Sequence, residues 1–271
     1  MTEMPDAVTN LNSNTLKKQA SDVHILMDSC LLAGQILMAN GSEISRVEDV
    51  IQRMGAAADI NNLQVYVLLN AITVSFPEQG ITQMRSIPPR IQTMDMEKIV
   101  AVNDMTRQFT AHLISIETFS DKLSKIDMTI PRFSLKLQVM SAMIIAVTFV
   151  IMLTRNTAFI NLFLAAATSG LAYAIAFQMR NKFHMRFFGL FLASLSMSFI
   201  MLICSKVLVH PFDADIVIIG AIMPFVPGVA LTNAVREIMA GNFISGQGRI
   251  IEALLTAASV GLGIVLLSFF Y

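Results

Sequence analysis

The 271-residue chain has no tryptophan, two cysteines and few charges, with Asp, Glu, Lys and Arg making up 14%. Soluble domains carry about 25% charged residues, so the deficit argues against a wholly soluble protein. Cys30 and Cys204 lie in different regions and form neither a CxxC nor a metal-ligand spacing, which leaves two buried unpaired thiols. No GxGxxG follows a strand, and neither a Walker loop nor an HExxH occurs. No short tandem repeat is present. His24, His112 and His184 have no partner at ligand spacing. No cofactor, metal or nucleic-acid partner is therefore expected. Residues 1–20 are polar and lack the apolar stretch of a signal peptide, so the part that follows is expected to stay in the cytoplasm.

What is abundant is apolar: 55% of residues are hydrophobic, 19 of them Met, and mean hydropathy is +0.64. Met at helical spacing reads as adaptable packing. The net charge of zero hides two regions. Through residue 133 there are 11 Lys/Arg against 15 Asp/Glu, a net −4, and the remainder has 8 against 4, a net +4. The first region is a polar domain long enough for its own core, and the second is a membrane block.

In the first region, residues 1–19 read as a disordered tail. Val23, Met27, Cys30, Leu31, Gly34 and Met38 then recur at helical spacing, and Asn40-Gly41 is a helix stop. Ser45 and Glu48 fit an S-x-x-E capping box for a helix whose apolar face is Ile44, Val47, Ile51 and Met54. "LQVYVLLNAITVSF" reads as one strand and "GITQMRSI" as a second, closed by Pro88-Pro89. Residues 94–113 and 115–126 read as helices, the latter with Ile116, Phe119, Leu123 and Ile126 on its apolar face. The expectation is an α/β (α+β) domain over 20–133, ordered α-α-β-β-α-α.

A membrane span needs about 20 mostly apolar residues. Five candidates occur over 134–271: 134–153, 157–178, 187–209, 216–238 and 250–270. Lys122, Lys125, Arg132 and Lys136 precede the first, Arg180, Lys182 and Arg186 lie between the second and third, and Arg236 and Arg249 flank the last loop. The opposite loops carry one Arg or none. That asymmetry puts the N-terminal domain and the loops 179–186 and 239–249 in the cytoplasm, and the C-terminus outside. The fold class expected is a membrane α-helical protein: a cytoplasmic α/β domain, then a five-helix transmembrane bundle with a broken fourth helix.

The break is written in "PFVPGVALTNAVREIMAGN". Pro224 and Pro227 lack donors, and Gly228 permits close approach, so the fourth span should split into two half-helices, the second starting near Val229. Irregular backbone at that depth is tolerated only where protein buries it or water lines it. The N-terminus of the second half suits a carboxylate, as in the discontinuous helices of secondary transporters. Gly228, Thr232 and Arg236 share one face, with Asn233 and Glu237 beside it. In the fifth span Glu252, Thr256, Ser259 and Gly263 form a stripe, and Ala253, Ala257 and Gly261 a small-residue face. The two polar stripes are expected to meet across a cavity. There Arg236 holds a carboxylate and Glu237 or Glu252 carries a proton; the alternative is that Arg236, Glu237, Arg249 and Glu252 are ordinary charges at the helix ends. Lys206 reads as snorkelling at the outer end of the third span. His210, Asp213 and Asp215 form an outer loop that is either a gate or solvated, and Ala165, Ser169 and Gly170 read as packing residues.

Two stretches carry a family resemblance. "GSEISRVED", with Gly41, Glu43, Arg46 and Glu48, resembles the glycine–acidic–x–x–Arg–Val–Glu signature of the threonine/serine exporter family. "PFVPGVALTNAVREIMAGNFISGQGRIIEALLTAASVGLGI" resembles its Pro-x-x-Pro-Gly…Thr-Asn-Ala segment. The resemblance runs from about residue 20 to 268. It implies export of small polar carboxylates driven by the proton gradient. Full-length members carry about twice as many spans. The chain therefore resembles the larger, domain-bearing subunit of a split pair, of the kind associated with succinate export, and a second small membrane protein would supply the remaining spans. On the residues alone, Arg46 and Glu48 fit an ion pair or cap within the domain, or a gate docking on the bundle. The competing reading of the whole chain is a membrane-anchored hydrolase. It would use Ser21, Asp22 and His24, or Ser42, Glu43 and Ser45, though neither spacing is a triad signature.

Overall fold

The computed structural model describes residues 6–88, 94–129, 133–154, 158–207 and 212–268. The chain divides into two compact units, one made of Met1–Pro131 with Glu237–Ser245, the other of Arg132–Arg236 with Gly246–Tyr271.

The first unit runs α1 (Asp6–Ala39), α2 (Ile44–Ala57), β1 (Gln64–Leu68), β2 (Ala71–Phe76), β3 (Ile81–Ser86), α3 (Met96–Thr110) and α4 (Ile116–Thr129). From Asp6 the stretch expected as a tail is helical, and residues 1–5 lie outside those described. Residues 63–76, expected as one strand, form two. They pair antiparallel from Gln64↔Ser75 to Leu68↔Ala71, leaving only Leu69-Asn70 as the turn. The turn was hidden because two-residue hairpin loops usually announce themselves with Asn-Gly or Asp-Gly. β2 is central in the order β1-β2-β3. Ile72, Val74 and Phe76 alternate to its buried face, as a half-buried strand requires. Pro89 also lies outside the described residues.

The helices cover that buried face. Met27, Leu37, Ile51, Met54, Phe119 and Leu123 are buried in one cluster with β2. Phe109 and Phe119 meet at 5.0 Å between ring centroids. Part of α1, Ser21–Ala39, is long and apolar enough to cross a membrane by length and composition, yet 61% of that window is buried, against 17–39% in the four other single helices that qualify. It is the core helix of this unit. Cys30 on it is fully enclosed, and burial pushes its thiol up to about 12, which keeps it protonated and inert.

The Asn40-Gly41 stop is a Schellman turn. Gly41 N–H donates to the Met38 carbonyl (3.2 Å), Ser42 N–H donates to that of Leu37 (3.0 Å), and Gly41 takes φ +91°. The turn delivers the chain into α2 at Ile44, one residue too soon for Ser45 to cap it. Glu43 holds the N-cap position, its side chain making no capping hydrogen bond to α2, and Ser45 is exposed. The expected Ser45–Glu48 capping box is therefore not formed.

The second unit contains α5 (Leu135–Leu153), α6 (Phe159–Lys182), α7 (Arg186–Val207), α8 (Ala214–Ile222), α9 (Gly228–Met239, through Arg236) and α10 (Phe243–Ser268, from Gly246). α5, α6, α7 and α10 are each long and apolar enough to cross a membrane, and α8 with α9 form a fifth such element bent by 55°. Arg132 and His210 lie outside the described residues. Small side chains make the contacts between helices. A Cβ on Gly220 of α8 would lie 2.4 Å from Val150 Cγ2 and 3.0 Å from the Ala146 carbonyl oxygen of α5. One on Gly263 of α10 would lie 2.5 Å from the Phe191 carbonyl oxygen of α7. Ser169 Oγ donates to the Ala142 carbonyl (3.3 Å), and Ser198 Oγ donates to that of Ile264 (3.3 Å). Ala165, Ser169 and Gly170 are packing residues, as their spacing suggested. Large apolar side chains such as Ile144, Phe163, Leu254 and Leu262 point outward, the arrangement expected where the surrounding solvent is hydrocarbon.

Candidate transport site

The fourth hydrophobic segment breaks where its prolines are. α8 ends at Ile222, a 3-10 turn covers Met223–Phe225, and Val226 is extended, as the residue before Pro227 must be. α9 opens at Gly228, one residue before the expected start. Val226 N–H donates to the Met223 carbonyl (3.3 Å), and Gly228 N–H donates to that of Val226 (2.8 Å). Phe225 is buried and anchors the break on α6, its ring 6.1 Å from that of Tyr173. Tyr173 in turn donates its hydroxyl to Gln138 Oε1 of α5 at 2.9 Å. The 55° bend is thus packed on both α5 and α6.

Beyond the break, Thr232 Oγ1 donates to the carbonyls of Gly228 and Val229, both at 3.1 Å. These bonds tie the exposed side chain to the first turn of α9. Gly228, Thr232 and Arg236 are all exposed on one face of α9, and Asn233 beside them is buried. The first N–H groups of a helix have no intrahelical partner, and although that of Gly228 is taken by Val226, the following ones at the start of α9 offer donors and partial positive charge next to a hydroxyl and an amide. The arrangement suits a small anion, with a guanidinium two turns along.

The polar stripe of α10 goes elsewhere. Glu252 pairs with Arg186 of α7, and Gly263 sits against Ser194 and Phe191 of the same helix. Thr256 Oγ1 donates to the Glu252 carbonyl (2.9 Å), and Ser259 Oγ to that of Leu255 (2.7 Å). The stripe packs on α7, which replaces the expected cavity between it and α9 at Glu252 and Gly263. Nothing lies within 4 Å of a Cβ added at Gly261, so the small-residue face of α10 is open at that point.

Glu237 has a different environment again. Its side chain is 2% exposed and belongs to the first unit. Ile44 N–H donates to Oε1 (2.8 Å), and Asn242 Nδ2 donates to Oε2 (3.1 Å). The carboxylate thus caps α2 from a position 193 residues away, filling the place the Ser45–Glu48 box was expected to fill. A second Schellman turn holds it there: Gly241 N–H donates to the Ile238 carbonyl, Asn242 N–H donates to that of Glu237, and Gly241 takes φ +88°. Burial, then the nearby Glu237 carboxylate, push the Glu48 carboxyl up from its ordinary value. Arg46 is exposed and forms no ion pair with a described residue; the ion pair on α2 is Asp49–Arg53 at 3.0 Å.

Of the outer-loop candidates, Asp213 caps α8 by accepting from Ile216 N–H (3.3 Å), and Asp215 and Lys206 are exposed. Sequence reasoning missed Asn161, a buried residue whose Oδ1 accepts from Asp213 N–H (3.2 Å). A lone amide near the start of an apolar span was its only signal. It also missed Arg186 as the partner of Glu252, because the two are 66 residues apart.

A family model described as "Putative threonine/serine exporter" matches residues 28–271. No curated protein and no solved structure matches the chain.

Proposed function

The chain belongs to the threonine/serine exporter family, and from that premise we propose that it is the domain-bearing subunit of a proton-coupled secondary exporter in the inner membrane. Its substrate is a small polar carboxylate, threonine/serine or a C4-dicarboxylate such as succinate, and a second small membrane protein supplies further spans. The observation that carries this reading is the break at Met223–Gly228. An anchor needs no interrupted helix, whereas an exporter needs backbone donors and polar side chains at membrane depth. The substrate carboxylate binds at the start of α9, where Pro224, Pro227 and Gly228 shape the backbone. Thr232 and Asn233 contact the polar part of the substrate, and Arg236 draws the anion along the exposed face.

Of the two proton-coupling candidates, Glu252 is the better placed. Its pairing with Arg186 gives a carboxylate that can exchange a counter-ion for a proton, whereas Glu237 is held by two donors as a cap. The orientation proposed is an N-terminal domain in the cytoplasm and the C-terminus outside. It is supported by the Lys/Arg distribution and by the clustering of Glu237–Ser245 with the N-terminal unit, which sets that loop on the same side as the domain.

The test is efflux of preloaded labelled threonine and labelled succinate from cells making this chain with and without a candidate small membrane partner. Export that depends on both chains, and that is lost in Asn233→Ala at unchanged membrane abundance, supports the reading. Normal export by Asn233→Ala contradicts the site.

A further inference from the structure

The turn between α6 and α7 has a composition that the transport reading does not use. Residues 180–186 are all exposed, and they carry Arg180, Lys182 and Arg186. No acid occurs in the sequence between Asp127 and Asp213. Each of the three cations lies over an aromatic ring: Arg180 over Phe177 at 5.7 Å, Lys182 over Phe183 at 5.8 Å and Arg186 over Phe187 at 5.8 Å. Arg186 is committed to Glu252. Among the described residues, Arg180 and Lys182 have no carboxylate partner.

The turn is held in shape. The N–H groups of Phe183 and Met185 both donate to the Met179 carbonyl (3.2 and 3.3 Å), and His184 takes φ +57°. A Cβ on Gly189 would lie 2.7 Å from Met179 Cβ, so the two helix ends run in close contact. The Tyr173–Gln138 bond sets the start of α5 beside α6, with the exposed Lys136 at the same end.

We propose that this turn is a binding site for the phosphate headgroup of an anionic phospholipid. The cations supply charge-assisted donors, and each ring holds its cation near the polar boundary. Phe183, Met185 and Phe188 are about half exposed, at 52%, 55% and 51%. Set at the ends of two helices long enough to cross a membrane, they provide an apolar surface for the glycerol and upper acyl chains. A soluble anion would use the cations but not that surface. Aromatic side chains favour the interfacial level, and basic pockets between spans recognise anionic headgroups.

The experiment uses the full chain reconstituted in phosphatidylcholine vesicles containing a trace of spin-labelled phosphatidylglycerol or spin-labelled phosphatidylcholine. Electron paramagnetic resonance reads the motionally restricted, protein-bound fraction. The wild-type protein is expected to prefer phosphatidylglycerol, by on the order of fivefold per engaged cation. Arg180→Gln/Lys182→Gln should bring the ratio close to one. The charge-conserving Arg180→Lys/Lys182→Arg should keep most of the preference, and Lys206→Gln at the opposite end of α7 should keep all of it. Equal fractions of the two lipids with wild-type protein, an unchanged ratio in the double Gln variant, or abolition of the preference by inorganic phosphate would each overturn the proposal. Lys182→Gln alone, which removes one exposed cation, should give an intermediate ratio and serves if the double variant does not reconstitute.

Discussion

The two units of this protein are built inside out from one another. The N-terminal unit places its largest apolar side chains at the centre, Phe76, Phe119, Met27 and Met54 among them. The helical unit lines its interior with many small residues, Ala142, Ala146, Ala165, Ala172 and Ser169, beside Val150, Met197 and Met201, and turns Ile144, Phe163, Leu254 and Leu262 outward. The difference follows from the solvent each unit is matched to. In water, burying a large apolar side chain is the main gain. In hydrocarbon that gain disappears, and close backbone approach with hydrogen bonds between helices takes over. Polar residues follow the same division. In the first unit the buried carboxylate of Glu237 caps a helix, and in the second Ser169 and Ser198 donate across helix pairs.

The two units should differ most in their response to the loss of a large core residue. Phe119→Ala in the first unit should cost about 3–5 kcal/mol, read as loss of the folded protease-resistant core in the intact protein. A change of similar rank in the second unit is electrostatic. Leu254→Arg, on an outward position, should oppose membrane insertion by up to about 3 kcal/mol, whereas Met84→Arg, 70% exposed in the first unit, should stay within about 0.5 kcal/mol. Carbonate-resistant membrane fractions compare the two, and equal tolerance of both would erase the distinction. Next comes the long-range cap. Glu237→Ala leaves Ile44 N–H without its acceptor and should destabilise α2 by about 1–3 kcal/mol, seen as faster amide exchange in residues 44–50.

How far these features could be read beforehand depends on their range. The apolar face of α2 (Ile44, Val47, Ile51, Met54) and the Schellman stop at Asn40-Gly41 follow from local spacing, and both are present. The break at Pro224–Gly228 is local as well, and it appears within one residue of the expected start of α9. The hairpin at Leu69-Asn70 was hidden because its turn lacks glycine and the residues next to it, Val67-Leu68 and Ala71-Ile72, are apolar. The Ser45–Glu48 box was a local match overruled by packing: the turn before it set the helix start, and a residue from α9 took the cap. Pairings such as Glu237 with Ile44 or Glu252 with Arg186 join distant parts of the chain, and no local pattern encodes them. The polar stripe of α10 was legible as a stripe, but the helix it faces was not.

The dependence of stability on pH is smaller still. The Glu48 carboxyl is held above its ordinary value, chiefly by burial and then by Glu237. A raised folded-state value favours the protonated form. The associated stability is fully present below the unfolded carboxylate range and is lost as pH rises through the folded value. Glu48→Gln should remove that decline, so that the variant gains on wild type as pH rises above the ordinary carboxylate range. Parallel pH–stability curves for the two proteins would show that Glu48 is not the titrating group.

The interrupted helix, and not the N-terminal unit, is proposed to carry the substrate. The decisive experiment is efflux of labelled threonine and succinate from cells producing the proposed small membrane partner with wild-type chain, Asn233→Ala or Arg46→Ala, at matched membrane abundance. Placement of the substrate at the break requires export by wild type and by Arg46→Ala, and export at background level with Asn233→Ala. Full export by Asn233→Ala would contradict it.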